Sequence, residues 1–536
     1  MDRRDFLRTA TGVATGAVLA PADAWPLAPG QPAAFDAAVT VDPARELGRV
    51  DPLVYGHQLE HLERVVYGGV FDPASPRADA LGLRRDVVDA MREMGGARVV
   101  RWPGGNFVSY YHWEDGMGPR ARRPRRYDVV WREYESNHFG TDEYLALCRA
   151  MGCEPFITAN MGNGTLDEAC RWVEYCRRDP RTGRPRDDGT PVARIWGLGN
   201  EHFGPWQVGH YTAEEYGRKA AQFAQFMRAV APDLRFVGVG THRFDPRWNE
   251  VVLRHVGHEL EWLSLHMYGH RYHRSPGVDP AALTPEADFD QAVATPAYFE
   301  QEMRAMADQM TRAERDLRRR EPLRLCLEEW NTRHNVPGRG LLRESPRDVA
   351  DALFVAGVYN ACQRMAERVT MTNYIYFVNA HGPLEATRGG LVRSATYDVF
   401  RLYATRTHPV ALDAQVRTET FAAEMPAATR LDGRADAPGR VTTGRVDAAA
   451  TRTADGRRVS VTLLNRDRTR PARVALALRG RALPAGGTLH TLAAPSPNAV
   501  NTPEAPDRVR ATARRVERAD VLVLPPASVN LLELGA

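Results

Sequence analysis

From Val54 onward, short apolar runs alternate with stretches whose apolar residues recur at helical spacing. The runs are Val54 to Gly56, Ala97 to Trp102, Pro155 to Asn160, Ala193 to Leu198, Phe236 to Gly240, Trp262 to His266, Leu323 to Leu327 and Met371 to Val378. Stretches of helical period between them include Asp142 to Met151, Thr165 to Arg177, Ala213 to Val230, Pro296 to Arg320 and Pro346 to Ala366. Continuous apolar strands separated by helices are the pattern of parallel strands covered by crossover helices. The rhythm predicts an α/β fold, a (β/α)8 TIM barrel over residues 54–400. An open doubly wound sheet is the rival, disfavoured because no G-x-G-x-x-G follows the first strand.

After about Tyr403 the period changes to two. Arg458 to Asn465, Arg473 to Leu478, Thr488 to Leu492 and Val521 to Pro525 alternate between Pro/Gly/Asn clusters. They predict a C-terminal all-β sandwich over residues 401–536. Val39 to Val50 reads as one or two strands, and residues 35–53 are expected to join that sandwich. The stretch from Ala427 to Asp447 reads as loop-rich. Trp25 to Ala34 is a Pro/Ala-rich linker. Before it, Asp2-Arg-Arg-Asp-Phe-Leu-Arg8 precedes a weakly apolar run and Ala22-Asp-Ala24, so residues 1–34 read as a twin-arginine signal peptide and linker. The expected location is periplasmic or secreted.

Composition narrows the function classes. The 536 residues carry a formal net charge of +4, and Lys219 is the sole lysine. The basic run Arg120 to Arg126 is broken by Pro124 and lacks aromatic interleaving, so no nucleic-acid partner is expected. No stretch approaches the roughly 18 apolar residues of a membrane span, so the mature chain is expected to have no membrane partner. The sequence is compatible with a homo-oligomer without fixing one. The six cysteines form no C-x-x-C pair and read as buried free thiols. His57, His61, His202, His266 and His381 fall near predicted strand ends with no recurring ligand spacing, so neither a metal nor another cofactor is expected.

Two strand ends carry the chemistry. The run ending at Leu198 is followed by Gly199-Asn200-Glu201, and the run ending at Leu327 by Glu328-Glu329-Trp330-Asn331. Carboxyls presented at two C-terminal strand ends of a barrel point to glycoside hydrolysis by paired acids. Solvated loop tips are the bland alternative.

The motifs in order resemble the α-L-arabinofuranosidases of glycoside hydrolase family 51. They are Tyr55-Gly-His-Gln-Leu-Glu60, Arg101-Trp-Pro-Gly-Gly-Asn106, Glu135-Ser-Asn-His-Phe-Gly140, Trp196 to Gln207, Ser264-Leu-His266-Met-Tyr268, Glu329-Trp330-Asn331 and Gly389-Gly-Leu-Val-Arg393. The resemblance implies Glu201 as general acid/base and Glu329 as nucleophile of a retaining, exported enzyme that releases terminal α-L-arabinofuranosyl residues from arabinose-containing glycans. It implies Glu60, Asn106, Asn200, His266 and Tyr268 around the sugar, Arg101 holding the nucleophile ionised, and Trp330 shaping its backbone. Two departures stand out. Glu328 replaces an aspartate and is a rival nucleophile. Tyr376 replaces a glutamine that contacts the sugar, which leaves open another glycone, such as galactofuranose or a β-glucan. A non-catalytic carbohydrate-binding barrel is the remaining alternative.

Overall fold

The computed structural model describes residues 32–178, 182–185, 189–241, 245, 247–271, 284–336, 340–342, 344–425 and 439–535. The twin-arginine segment, most of the linker and residues 427–438 of the stretch read as loop-rich lie outside the described residues. Eight parallel strands form the barrel: Gly56–Gln58, Val99–Trp102, Glu154–Ala159, Ile195–Leu198, Arg235–Gly238, Leu260–Arg271, Arg324–Val336 and Val369–Tyr374. The sheet closes because the sixth strand pairs with the seventh, and the eighth pairs with both the seventh and the first.

The barrel floor is an apolar layer of Val99, Phe156, Ile195, Val237, Trp262, Cys326 and Met371, with Leu53 packed against it. Side chains on a strand alternate faces, so two residues further on the same interior face carries Arg101, Ser264, Glu328 and Asn373. The interior therefore changes from apolar to polar within one layer, toward the C-terminal strand ends.

Helices cover the outside. Thr212 caps Ala213–Val230 by accepting from the Glu215 amide, and the Glu215 carboxylate accepts from the Thr212 amide at 2.8 Å. The long helix Pro285–Asp316 begins well before Pro296, where the sequence placed its start. Pro285 sits in the first turn, where a proline costs no hydrogen bond, and Pro296 is tolerated inside because it packs on Gly357 of the neighbouring helix Val349–Arg364. Helices Arg85–Glu93, Trp248–Val256 and Ala395–Arg406 add to the helical stretches named from the sequence.

The C-terminal part forms a nine-stranded sheet that includes Val410–Arg417, Val446–Arg452, Val459–Asn465, Ala472–Leu478 and Ser528–Leu534. Phe35–Arg49 is one strand of that sheet, antiparallel to Val410–Arg417 and parallel to Ala472–Leu478. Phe35, Val39, Val41, Val461, Leu476 and Leu524 lie in its own core. A partly buried ion network seats it on the barrel. Arg364 joins Glu300 at 2.7 Å and Asp447 at 3.0 Å, and Arg466 joins Asp447 at 2.9 Å.

Three further readings are corrected. Val54-Tyr55 belongs to the 3-10 turn Pro52–Tyr55, set by the Asp51 side chain accepting from the Leu53 amide, and the strand starts at Gly56. The seventh strand runs on through both glutamates to Val336 because the sixth strand continues beside it to Arg271. The stretch read as loop-rich ends in the strand Arg440–Gly444 and the start of Val446–Arg452, both paired antiparallel.

Candidate active site

Glu201 follows the fourth barrel strand, and Glu329 lies in the seventh. Gly199 has φ +80°, and a Cβ there would stand 2.2 Å from His202 Nε2. Glu201 itself has φ +44°, a left-handed backbone that costs free energy for a residue with a Cβ. The turn behind it is closed by the Gly204 amide donating to the Glu201 carbonyl at 2.7 Å. Its side chain is thereby turned into the barrel mouth, 13% exposed.

The seventh strand presents two consecutive glutamates inward. Leu327 pairs with Leu265, but Glu329 pairs with His266, so Glu328 is an extra residue on this strand. Such a bulge breaks the alternation of faces. Glu328 reaches Arg101 Nε at 2.9 Å and His266 Nε2 at 3.1 Å. Glu329 reaches Arg101 Nη1 at 2.7 Å and accepts from Gln58 Nε2 at 3.3 Å and from the Tyr268 hydroxyl.

His266 ties the halves together. Its Nδ1 lies 2.9 Å from Glu201 Oε1 and 3.5 Å from Glu329 Oε2. One oxygen of each carboxyl and a His266 ring nitrogen all lie within 4.8 Å of one another. The other Glu201 oxygen accepts from Trp206 Nε1 at 2.7 Å.

Arg101 is the hub. Besides its ion pairs with both glutamates it donates to Asn200 Oδ1 at 2.8 Å and to Gln58 Oε1. Asn200 donates in turn to Asn106 Oδ1 at 3.1 Å. Glu60 accepts from Gln58 Nε2 at 3.1 Å and from the Phe107 amide at 3.4 Å. Gly104-Gly105 lets these groups converge. A Cβ on Gly104 would meet Glu60 Cγ at 2.2 Å, and one on Gly105 would meet Glu329 Oε1 at 2.4 Å.

The charges follow from this geometry. Burial alone would raise the Glu329 carboxyl, but His266 and Arg101 outweigh it and hold it at about 2. Burial disfavours the His266 cation, but Glu329, Glu201 and Glu328 push it up to about 10. Burial and the neighbouring Glu329 charge raise Glu60 to about 7. At neutral pH the site thus holds a bare Glu329 beside an imidazolium and a guanidinium.

The other histidines differ. Burial lowers His57 and His202 to about 3, and His202 Nδ1 lies 2.6 Å from the Gly209 carbonyl. His61 sits between Glu135, at 2.8 Å from Nδ1, and Trp102, whose Nε1 donates to Nε2 at 3.0 Å. Glu201, His266 and Glu329 have the spacing of a cation site. The donor set argues otherwise, because His266 holds its proton tightly and Arg101 already neutralises Glu329.

Trp330 is fully buried and packs edge-on against Tyr374 at 5.0 Å and Tyr359 at 5.4 Å. Tyr376 is buried just beyond the eighth strand, its ring 6.5 Å from that of His381. Asn331 donates to the His381 carbonyl at 3.2 Å and to the Ile375 carbonyl, joining the seventh strand to that loop. A separate cavity of about 180 Å³, lined by Arg347, Asn379, Ser394 and Asn501 among others, includes none of the predicted site residues.

Sequence reasoning did not assign to the site Gln58, Trp206, Gln207, whose Oε1 accepts from Asn200 Nδ2 at 3.4 Å, or Arg333, which lies over the Tyr268 ring. Even spacing was the available signal: Gln58 stands two residues before Glu60, and Arg333 four after Glu329 on the same strand.

Comparison with known proteins follows the same lines. The Alpha-L-arabinofuranosidase 1 domain matches residues 90–280, and the Alpha-L-arabinofuranosidase C-terminal domain matches residues 328–528. An intracellular exo-α-(1->5)-L-arabinofuranosidase of Streptomyces lividans is 34% identical over 88% of this chain and 70% of its own length. The α-L-arabinofuranosidase of Thermotoga maritima, solved as an arabinose complex, superposes with a TM-score of 0.82 at 32% identity, covering 94% of this chain and 100% of that one. The thermostable GH51 α-L-arabinofuranosidase of Thermotoga petrophila gives 0.81 at 31% identity, covering 93% and 100%.

Proposed function

We propose a retaining double displacement for this chain, which belongs to the α-L-arabinofuranosidases of glycoside hydrolase family 51 and is a glycosidase. The substrate is a glycan bearing a terminal α-L-arabinofuranosyl unit, attacked from its non-reducing end. The observation that carries the mechanism is the approach of the Glu201 and Glu329 carboxyl oxygens to within 4.8 Å. Retaining glycosidases hold their two carboxyls about 5–5.5 Å apart, whereas inverting ones leave room for a water between them.

In the first step the Glu329 carboxylate attacks the anomeric carbon. The bond from that carbon to the leaving oxygen breaks, and Glu201 gives that oxygen its proton. In the second step a water loses a proton to Glu201 while its oxygen attacks the anomeric carbon, and the ester to Glu329 breaks. Arg101 and Tyr268 keep Glu329 ionised and aimed. Asn200 faces the hydroxyl next to the reacting carbon, where a hydrogen bond strengthens as the oxocarbenium-like transition state forms. Glu60 and Asn106 hold the remaining ring hydroxyls, and Tyr376 closes the pocket from the eighth strand. Glu328 pairs with His266 and Arg101 as their anchor, and it is Glu329 rather than Glu328 that shares with Glu201 and His266 the cluster within 4.8 Å.

The twin-arginine pattern at Asp2 to Arg8 supports an exported enzyme, and fractionation of cells after deleting residues 1–24 tests that separately. The activity test is a panel of aryl furanosides and pyranosides. Turnover of the α-L-arabinofuranoside that Glu329→Gln abolishes is the expected result, and turnover of pyranosides alone would contradict it.

A further inference from the structure

The seventh strand carries a second cation toward the mouth of the site. Arg333 lies four residues beyond Glu329, about 13 Å along an extended strand, in the direction the leaving group must exit. Its guanidinium turns back to lie flat over the Tyr268 ring, with Cζ 3.4 Å from the ring centre. The Tyr268 hydroxyl in turn donates to Glu329. Arg333 is therefore one aromatic ring away from the nucleophile, and it is only partly exposed.

The nearby carboxylates are spoken for. Glu201 is held by His266 and Trp206, Glu328 by Arg101 and His266, and Glu329 by Arg101, Gln58 and Tyr268. Among the described residues, no carboxylate forms an ion pair with Arg333. Stacking on a ring engages the flat face of a guanidinium and leaves its in-plane N–H donors for an acceptor. A half-buried cation so placed, hydrogen-bonded and stacked on Tyr268 but in no ion pair among the described residues, is a receptor for an anion that arrives with the substrate. The planar fork matches a carboxylate in two parallel hydrogen bonds.

We propose that Arg333 binds the carboxylate of a uronic acid on the leaving-group side, so that the preferred substrate carries its arabinofuranosyl unit next to an acidic sugar. This rests on the reading of the site as an α-L-arabinofuranosidase. It makes Arg333 a specificity residue, since a neutral neighbouring sugar leaves the guanidinium without its partner.

Three substrates test it with the wild-type enzyme: an aryl α-L-arabinofuranoside, an arabinofuranosyl oligosaccharide with an adjacent uronic acid, and the methyl ester of that oligosaccharide. The acid and the ester differ in charge and fork geometry but share their sugars. The expected result is kcat/KM about tenfold or more higher for the acid than for the ester, with a ratio that falls as salt rises. In Arg333→Gln the ratio is expected to collapse to near one, and Arg333→Lys to restore part of it. A ratio near one in the wild type, or one unchanged in Arg333→Gln, would overturn the proposal while hydrolysis of the aryl arabinofuranoside persists. Absence of that aryl activity would instead overturn the arabinofuranosidase reading beneath it.

Discussion

Arg101 and Glu329 meet at 2.7 Å at the centre of the barrel mouth, and the arginine side chain has no exposed surface. The same guanidinium holds Glu328 at 2.9 Å and Asn200 at 2.8 Å, so one residue of the second strand fixes groups from the fourth and the seventh. Arg101→Met leaves two carboxylates buried without it. The expected cost is about 3–5 kcal/mol of stability, the penalty for breaking a buried pair by removing one partner. Denaturant unfolding monitored by circular dichroism measures it, and a loss below about 1 kcal/mol would show that water enters and solvates the site.

Gly105 sets the position of the nucleophile. A Cβ there would stand 2.4 Å from Glu329 Oε1, so Gly105→Ala must push the carboxylate aside. Displacement of a reacting group by about 1 Å can cost about a hundredfold in rate. The expected outcome is a fall in kcat of that order, with a lowered thermal midpoint as the Arg101 pair is disturbed. An unchanged kcat would place Glu329 away from the reacting carbon.

The acid/base role of Glu201 is read from leaving groups. Glu201→Ala should slow deglycosylation of every substrate, but it should slow glycosylation severely only where the leaving oxygen needs a proton. Single-turnover kinetics on a series of aryl arabinofuranosides then show a steep dependence on leaving-group pKa, and azide yields a glycosyl azide. Equal losses across the series would remove Glu201 from that role.

The pH dependence of stability has a worked sign at two positions. His266 is raised from 6.5 to about 10 in the folded protein. Its contribution is present in full below pH 6.5 and is lost as pH rises through about 10. Glu60 is raised from 4.5 to about 7. Its stabilising contribution in the protonated form is present below pH 4.5 and is lost as pH rises through about 7. Thermal midpoints of the wild type minus His266→Gln should therefore fall between about pH 6.5 and 10, and those of the wild type minus Glu60→Gln between about pH 4.5 and 7. Difference curves that rise over those windows would reverse the assigned charges.

The barrel was legible because buried parallel strands read as unbroken apolar runs and their helices as amphipathic ones. The rhythm from Ala97 to Val378 shows both. Glu201 and Glu329 were legible because each follows such a run. What the pattern could not show is the extra residue in the seventh strand. Nothing local to Leu327-Glu328-Glu329 signals a bulge; it arises from the pairing of Leu265 and His266 on the sixth strand. Without the bulge, alternation would send one of the two glutamates out of the barrel; Glu328 read as a rival to Glu329 because it stands in place of an aspartate, and its supporting place became visible only with the bulge. The start of Pro285–Asp316 was hidden for a similar reason, since Pro296 is accommodated by Gly357 of another helix. Even spacing puts Arg333 on the strand face of Glu329, but its meaning depends on Tyr268 of the adjacent strand, which no local pattern shows.

The central claim is that Glu201 and Glu329 face one anomeric carbon at the spacing of a double displacement. Proton NMR of the first product formed from an aryl α-L-arabinofuranoside, recorded before mutarotation, tests it most directly. The account predicts that α-L-arabinofuranose appears first and the β anomer only later. Initial appearance of the β anomer would mean a single inverting displacement and would contradict the assignment of Glu329 as nucleophile.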